Sequence, residues 1–332
     1  MADDYEFGLR LPSFTREDTR DFEGIVDYVE RASDDGFSHF WFIYHLTTTK
    51  PAYATSWIDP LTLMSGLASR VDDATFGPMI LPTPLEHPLH IAKNFASFDH
   101  LYDGRTILGL GSGWNDEEFD TIGVPRRERG RRTTETIRIL RRLWSEDNVT
   151  FEGDFFELDE ITIDPKPVDD DIPIWIGGGT QAFPELYGEP IPDTIWKVLK
   201  RTAHFADGWI PHATATHEQV ADDYHRILEY CDELGRDPDD LEIVYENFAY
   251  VYENEDRDEQ HELAHEGYNR FSGMDPEHID QFYLVGTADE IIQKIERRIE
   301  ATNGVDHIVI NPTSFDDRQY ELINDAVIDH FR

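Results

Sequence analysis

Apolar residues in this chain come in short runs that end at a glycine, proline or histidine, and between the runs they recur at helical spacing. Residues 5–11 form the first run. Phe22, Ile25, Val26, Val29 and Ala32 then mark one face of a helix that stops at Gly36. The same unit repeats. Strands are predicted at 38–44, 74–80, 105–110, 172–176, 207–212, 241–252 and 305–310. Several intervening helices announce their starts: Asp59 before Pro60, His87 before Pro88, and a capping box of Thr287 with Glu290. Ile91, Phe95, Phe98 and Leu101 line the helix after the third strand. Ile137, Leu140 and Trp144 line an arginine-rich helix over 128–144. Further helices are predicted around Trp196, Leu199 and Phe205, over 220–234 and 256–271, up to Ala301, and over 316–331.

Two segments break the rhythm. Residues 149–158 read as a hairpin turning at Glu152-Gly153-Asp154, and 181–193, with three prolines, read as an irregular insertion placed to cover a site. Residues 274–283 carry no readable pattern. Eight strands alternating with helices predict a closed parallel sheet, a (β/α)8 TIM barrel in one domain over 1–332, with insertions after strands four and five.

Charge narrows the partners. Asp and Glu number 69 against 29 Lys and Arg, a formal charge of −40 that repels nucleic acid and anionic membrane. The acids are spread along the chain rather than gathered in a tail, while 39% hydrophobic residues remain for a core. Such a composition matches proteins of salt-loving archaea, where molar salt screens self-repulsion. Cys231 is the single cysteine, so no internal disulfide forms. The first strand starts early, without a signal-like leader, and no apolar run approaches a membrane span; a cytoplasmic protein is expected. His204, His212, His217 and His225 lack metal-ligand spacing, so no metal is expected.

Candidate chemistry gathers where strands end, which is where barrels place ligands. Two strands run into glycine corners, Gly109-Leu110-Gly111-Ser112-Gly113 and Gly177-Gly178-Gly179-Thr180. Neither has the spacing of a dinucleotide fingerprint. Each alone reads as a tight turn; as a pair they favour one shared ligand, with amides at 177–180 as donors to a phosphate. Trp114 reads equally as a pocket wall or as core. His45, closing strand two, sits where an imidazole can move protons near neutral pH, or else is structural. Arginines 126, 127, 129, 131, 132, 138, 141 and 142 hold eight of the 29 basic residues, either pairing with nearby acids or attracting an anionic ligand.

These motifs resemble the bacterial-luciferase-like superfamily of flavin- and deazaflavin-dependent oxidoreductases. The shared pattern runs through Gly36-Phe37, Tyr44-His45, Ile58-Asp59-Pro60, Gly77 to Pro82, His87-Pro88 and Asp99-His100-Leu101-Tyr102-Asp103-Gly104-Arg105. It continues in the Gly109–Asn115 stretch, Pro173 to Gly179, Ala206-Asp207-Gly208-Trp209, and Val285-Gly286-Thr287 with Val305-Asp306-His307. The resemblance implies coenzyme F420 or FMN as cofactor, and the salt-adapted composition tilts the choice to F420. It implies hydride exchange with a small organic substrate, similar to the methylene-tetrahydropterin reductases of the deazaflavin branch. The alternatives are an FMN-dependent monooxygenase and a cofactor-binding protein without turnover. By the same resemblance His45 is catalytic, near the central ring. The cofactor would lie among Tyr44, His45, Met79, Ile80, Gly111, Ser112, Gly113, Trp114 and the 177–180 corner. Tyr44 stands where many members carry Asp. A bulge behind the ring implies a non-proline cis peptide, most simply Met79–Ile80, and a homodimer is expected.

Overall fold

The computed structural model describes residues 5–12, 21–48, 57–181, 195–267 and 276–332. Eight strand positions close into a ring of parallel neighbours. They are β1 (Glu6–Leu11), β2 (His39–Phe42), β3 with β4 (Thr75–Pro78 and Leu81–Pro82), β5 (Leu108–Gly111), β8 (Ile174–Gly177), β9 (Gly208–Ile210), β10 (Glu242–Val251) and β12 (His307–Pro312). The pairing β1–β12 completes the circle, with Leu9 opposite Ile310 and Leu9 also opposite Phe40 of β2. The barrel read from the sequence is therefore present.

The third strand departs from that reading, because it is divided. β3 pairs with β2, whereas β4 pairs with β5, and the Met79–Ile80 peptide between them is cis, where the family pattern put it. A bridge from Phe76 to Thr106 carries the ring across the gap. The long seventh strand, β10, serves three neighbours in turn: β9 at its start, β12 through its middle, and the short β11 (Leu284–Gly286) at its end.

Helices α1 (Phe22–Asp34), α2 (Pro60–Ala68), α3 (Pro88–Leu101), α5 (Arg129–Ser145), α6 (Ile195–Phe205), α7 (His217–Leu234), α10 (Ala288–Ala301) and α11 (Asp317–Ala326) surround the ring. The anticipated start signals are in place: Asp59 accepts from the Thr62 amide with Pro60 first in α2, and Thr287 and Glu290 cap α10 reciprocally. The 149–158 hairpin forms from β6 (Val149–Glu152) and β7 (Glu157–Ile161). The unreadable stretch near 274–283 contains α9 (Pro276–Phe282), and α8 (Arg257–Gly267) precedes it. The 181–193 insertion lies almost wholly outside the described residues.

Not every apolar position faces inward. Phe22, Leu101 and Trp196, each placed on a helix's apolar stripe, are exposed at 42%, 72% and 48%. Each stands in the first or last turn of its helix, where the chain is leaving the barrel surface. Among the motif residues of 99–105, Arg105 is structural: its guanidinium donates to the carbonyls of Ala68, Val71, Ala74 and Tyr102 and ties the end of α2 to the start of β5.

The core has two shells and a separate cluster around Phe248, Tyr250, Tyr283 and Val285 at the end of β10. An outer one fills the space between sheet and helices; an inner one of Trp41, Met79, Ile107, Trp175, Ile210, Val244 and Val309 fills the barrel itself. The N-terminal end of the barrel is plugged by aromatics, with Trp41 and Trp175 at 4.7 Å and His39 and His307 at 4.9 Å between ring centroids. Trp175 donates to Glu242 at 3.0 Å. Access is thereby left to the C-terminal mouth.

Candidate active site

That mouth holds a cavity of about 1210 Å³. Tyr44, His45, Met79, Ile80, Ser112, Gly113, Trp114, Gly177, Gly178 and Gly179, all singled out from the sequence, line it. Gly111 lies behind Ile80, and Thr180 is turned to a carboxylate described below.

His45 is held by a residue that sequence reading missed. Asn115 caps a short helix, α4 (Asp116–Ile122), whose first turn buries Glu118 to 2% exposure. The Glu118 carboxylate accepts from the Leu46 amide at 2.6 Å and faces His45 Nδ1 at 3.2 and 3.3 Å. Because an ionised carboxylate can only accept, this geometry favours a proton on Nδ1 and puts the imidazole lone pair on Nε2. Trp57 and Trp114 pack around the ring at 5.1 and 5.6 Å. The helix signal was present in Asn115-Asp116-Glu117-Glu118, a cap followed by an acidic first turn, but Phe119 is its one buried apolar residue, so no apolar stripe announces it.

Tyr44 is half-buried and its hydroxyl donates to Glu86. Burial, followed by that bond, pushes the phenol well above its ordinary range, so it stays neutral. Deeper in the mouth Arg10 donates to Glu246 at 2.6 Å, and Asn311 donates to the same oxygen. This pair is nearly closed to solvent, which neutralises Arg10 at the cavity floor.

The two glycine corners turn out to have a packing role. A Cβ on Gly111 would stand 2.5 Å from Ile80 Cδ1, and one on Gly177 would stand 2.8 Å from the same atom. The corners thus admit the Ile80 side chain delivered by the divided third strand. Beyond them, Gly178 and Gly179 have φ of 139° and 153°, the region that favours glycine. The donors there are partly committed. The Gly178 amide donates to the Ile210 carbonyl at 3.0 Å, and the amide and hydroxyl of Thr180 donate to Asp223 at 2.6 and 2.9 Å.

On the α5–α6 side the wall is basic. Among the described residues nine basic side chains line the cavity, eight of them besides the floor's Arg10, against four acidic ones, in a chain whose formal charge is −40. Most of the sequence-predicted arginines do pair within the chain: Arg126 with Asp116 at 3.0 Å, Arg131 with Asp154 at 2.9 Å, Arg132 with Glu128 at 3.0 Å and Arg142 with Glu146 at 2.8 Å. Arg141 bridges Asp171 and Asp207. Arg201 on α6 is the exception that the sequence did not announce. It is buried, lines the cavity, and among the described residues bonds only neutral oxygens of Ser112, Gly130 and Thr134. Among the described residues no group of His, Cys, Asp and Glu is arranged to hold a metal, and no helix is long and apolar enough to cross a membrane.

Comparison with known proteins finds the chain similar to cofactor-dependent oxidoreductases. The F420-dependent glucose-6-phosphate dehydrogenase of Amycolatopsis mediterranei is 26% identical over 316 residues, which cover 89% of this chain and 90% of that one. The FMNH(2)-dependent dimethylsulfone monooxygenase of Pseudomonas fluorescens is 42% identical over 110 residues, 32% of this chain and 30% of its own. Among solved structures, an F420-dependent secondary alcohol dehydrogenase bound to an F420-acetone adduct matches with TM-score 0.79 at 22% identity over 98% of both chains. The coenzyme F420 dependent tetrahydromethanopterin reductase of Methanopyrus kandleri matches with TM-score 0.73 at 20% identity over 99% of both. The last two similarities establish the fold. With a family model matching residues 6–191 and the barrel in agreement, the chain belongs to the luciferase-like monooxygenase family.

Proposed function

We propose that this enzyme binds coenzyme F420 at the barrel mouth and exchanges a hydride with a small organic substrate. The observation that carries the reading is the basic wall of the cavity: with the Arg10–Glu246 pair of the floor set aside, eight basic side chains stand against three acidic among the described residues, in a chain of charge −40. Random placement of so few basic residues would not concentrate them at one opening. F420 carries a phosphate and a tail of carboxylates, which such a wall attracts; FMN carries the phosphate alone. The relatives that act with F420 support the same choice. So does the acid-rich composition, which we take as adaptation to molar salt in a single domain spanning 1–332.

The residues present fit that group. Met79 and Ile80 give the cavity an apolar lining, Tyr44 and Trp114 an aromatic one, and basic side chains of α5 and α6 line the rest. When bound, F420 supplies the carbon that gives or takes the hydride; the protein supplies position and protons. His45, with Nδ1 engaged by Glu118, presents Nε2 as the atom that holds or delivers the proton lost or gained by the substrate oxygen or nitrogen. Glu118 also accepts from the Leu46 amide and so fixes the ring's position as well as its tautomer. Trp57 and Trp114 exclude water from the imidazole.

Fluorescence quenching by F420 and by FMN in molar salt tests the cofactor, and anaerobic bleaching of oxidised F420 by a panel of alcohols tests the chemistry. Tighter binding of FMN, with oxygen consumption on its reduction, would overturn the proposal.

A further inference from the structure

The basic wall does not continue into the barrel strands. Apart from Arg10, every Lys and Arg that lines the cavity among the described residues stands on α5, on α6 or in the turn before α5. The strands offer a different surface. Ile43, Ile210, Pro211, Ala213 and Phe248, on or just after β2, β9 and β10, are apolar. Of the Asp, Glu, Lys and Arg side chains lining the cavity among the described residues, only Arg10 on β1 and Glu246 on β10 come from barrel strands. These two cancel, with Arg10 Nη1 donating to Glu246 Oε1 at 2.6 Å.

The pair is held from several sides. Its side chains are 11% and 6% exposed, the Asn311 amide donates to the same Glu246 oxygen at 3.3 Å, and the Arg10 guanidinium lies 5.6 Å from the centre of the Phe248 ring. His212, also in the lining, accepts through Nδ1 from the Thr214 amide at 3.2 Å, so its ring adds no positive charge. A carboxylate or phosphate reaching this floor would have to compete with Glu246 for Arg10, gathering two anions around one guanidinium in a place nearly closed to water. Desolvating an ion without a counter-charge of its own is unfavourable, whereas an uncharged polar group is satisfied by a hydrogen bond or two. Glu246 is in effect a resident occupant of the anion site that Arg10 would otherwise offer.

We infer that the Arg10–Glu246 pair selects the substrate by charge: alcohols or carbonyl compounds that are uncharged at neutral pH enter the barrel, and those carrying a carboxylate or phosphate are refused. The inference rests on the proposed reading of the mouth as the place where cofactor and substrate meet.

Two ligands of one shape test it, 3-hydroxybutyramide and 3-hydroxybutyrate, a neutral amide against a carboxylate. Binding is read from tryptophan fluorescence of the cofactor-free and the F420-loaded protein in 1 M salt, where a Debye length of about 3 Å screens the basic wall. Oxidation is read from the bleaching of F420. The wild type should favour the amide by about 10- to 100-fold in both readouts, the worth of a charge-assisted hydrogen bond withheld from the acid. Glu246→Gln keeps the shape, releases Arg10 from its carboxylate and should move the ratio about 10- to 100-fold toward the acid. Adding Arg10→Gln to that variant should abolish the gain, because the recruited guanidinium is gone. The wild-type ratio needs no variant and stands alone if Glu246→Gln does not fold. Equal binding of the two ligands by the wild type, binding of neither, or a ratio that Glu246→Gln leaves within about threefold of the wild type's overturns the inference while the cofactor reading stands. Failure of F420 to bind overturns the cofactor reading instead, and the ratio on the cofactor-free protein then decides for the floor.

Discussion

Acid should loosen this barrel from the end opposite its candidate active site. His39 opens β2 with its side chain 12% exposed, edge-on to His307 and stacked near Trp41. Burial, reinforced by the positive charge of His307, pulls the imidazolium of His39 down to about 4 from its ordinary 6.5, with Glu6 and Glu242 opposing. The unfolded chain takes up this proton near 6.5 and the native state only near 4, so between them the unfolded state holds more protons. Stability is therefore complete above about 6.5 and is lost as pH falls through about 4. At about 1.4 kcal/mol per pKa unit, the span from 6.5 to about 4 removes about 3 kcal/mol. Against a domain stability of about 5–15 kcal/mol that is a large share. Urea unfolding at pH 7.5, 6.5, 5.5 and 4.5 in constant high salt, on the wild type and on His39→Gln, measures it. Subtracting the two curves removes the many carboxylates both proteins share. The wild type's advantage over the variant should shrink by about 2.5 kcal/mol across the series, the remainder being lost below pH 4.5. Two parallel curves would show that His39 keeps an ordinary titration and would refute the reasoning.

His45→Asn should keep F420 affinity and lose turnover by on the order of 10²-fold in steady-state assays, as expected for loss of a proton-transferring group. Glu118→Gln should leave cofactor affinity in place, lower turnover by roughly 10-fold and alter the pH–rate profile, because an amide no longer dictates which imidazole nitrogen carries the proton. Gly111→Ala should destabilise by about 1–3 kcal/mol in urea titrations, since its Cβ would lie 2.5 Å from Ile80 Cδ1. Melting temperature should climb with salt as the Debye length contracts from about 30 Å at 0.01 M to about 3 Å at 1 M; a flat curve would remove the halophile reading.

The barrel was legible because each unit combined a dense apolar run with a helix start or stop that chemistry dictates, as at Asp59-Pro60 or Thr287 with Glu290. What escaped was decided by partners distant in the chain. Glu118 is one of 69 acids in the sequence, and only the approach of β2 makes it the support of His45. Arg201 reads as one more cation in a Lys-rich helix until α5 closes over it. The pairing of Arg10 with Glu246 spans 236 positions. The glycine corners were correctly placed at strand ends, but their reason, the Ile80 side chain, comes from a division of the third strand that no spacing reveals. The basic residues on 126–142 were seen as a cluster; that most would be neutralised and one residue outside the cluster would not is a matter of packing.

The contact of Ile80 with Gly111 and Gly177 binds three distant positions into one inheritance. A side chain can be accepted at 111 or 177 only in a lineage that has already trimmed residue 80, and residue 80 can stay large only while both others remain bare. Randomising any one of the three alone should return mostly the parent residue. Randomising them together opens combinations in which the wall of the candidate cofactor cavity is rebuilt at a new tilt, a route to altered reactivity that single-site libraries never reach.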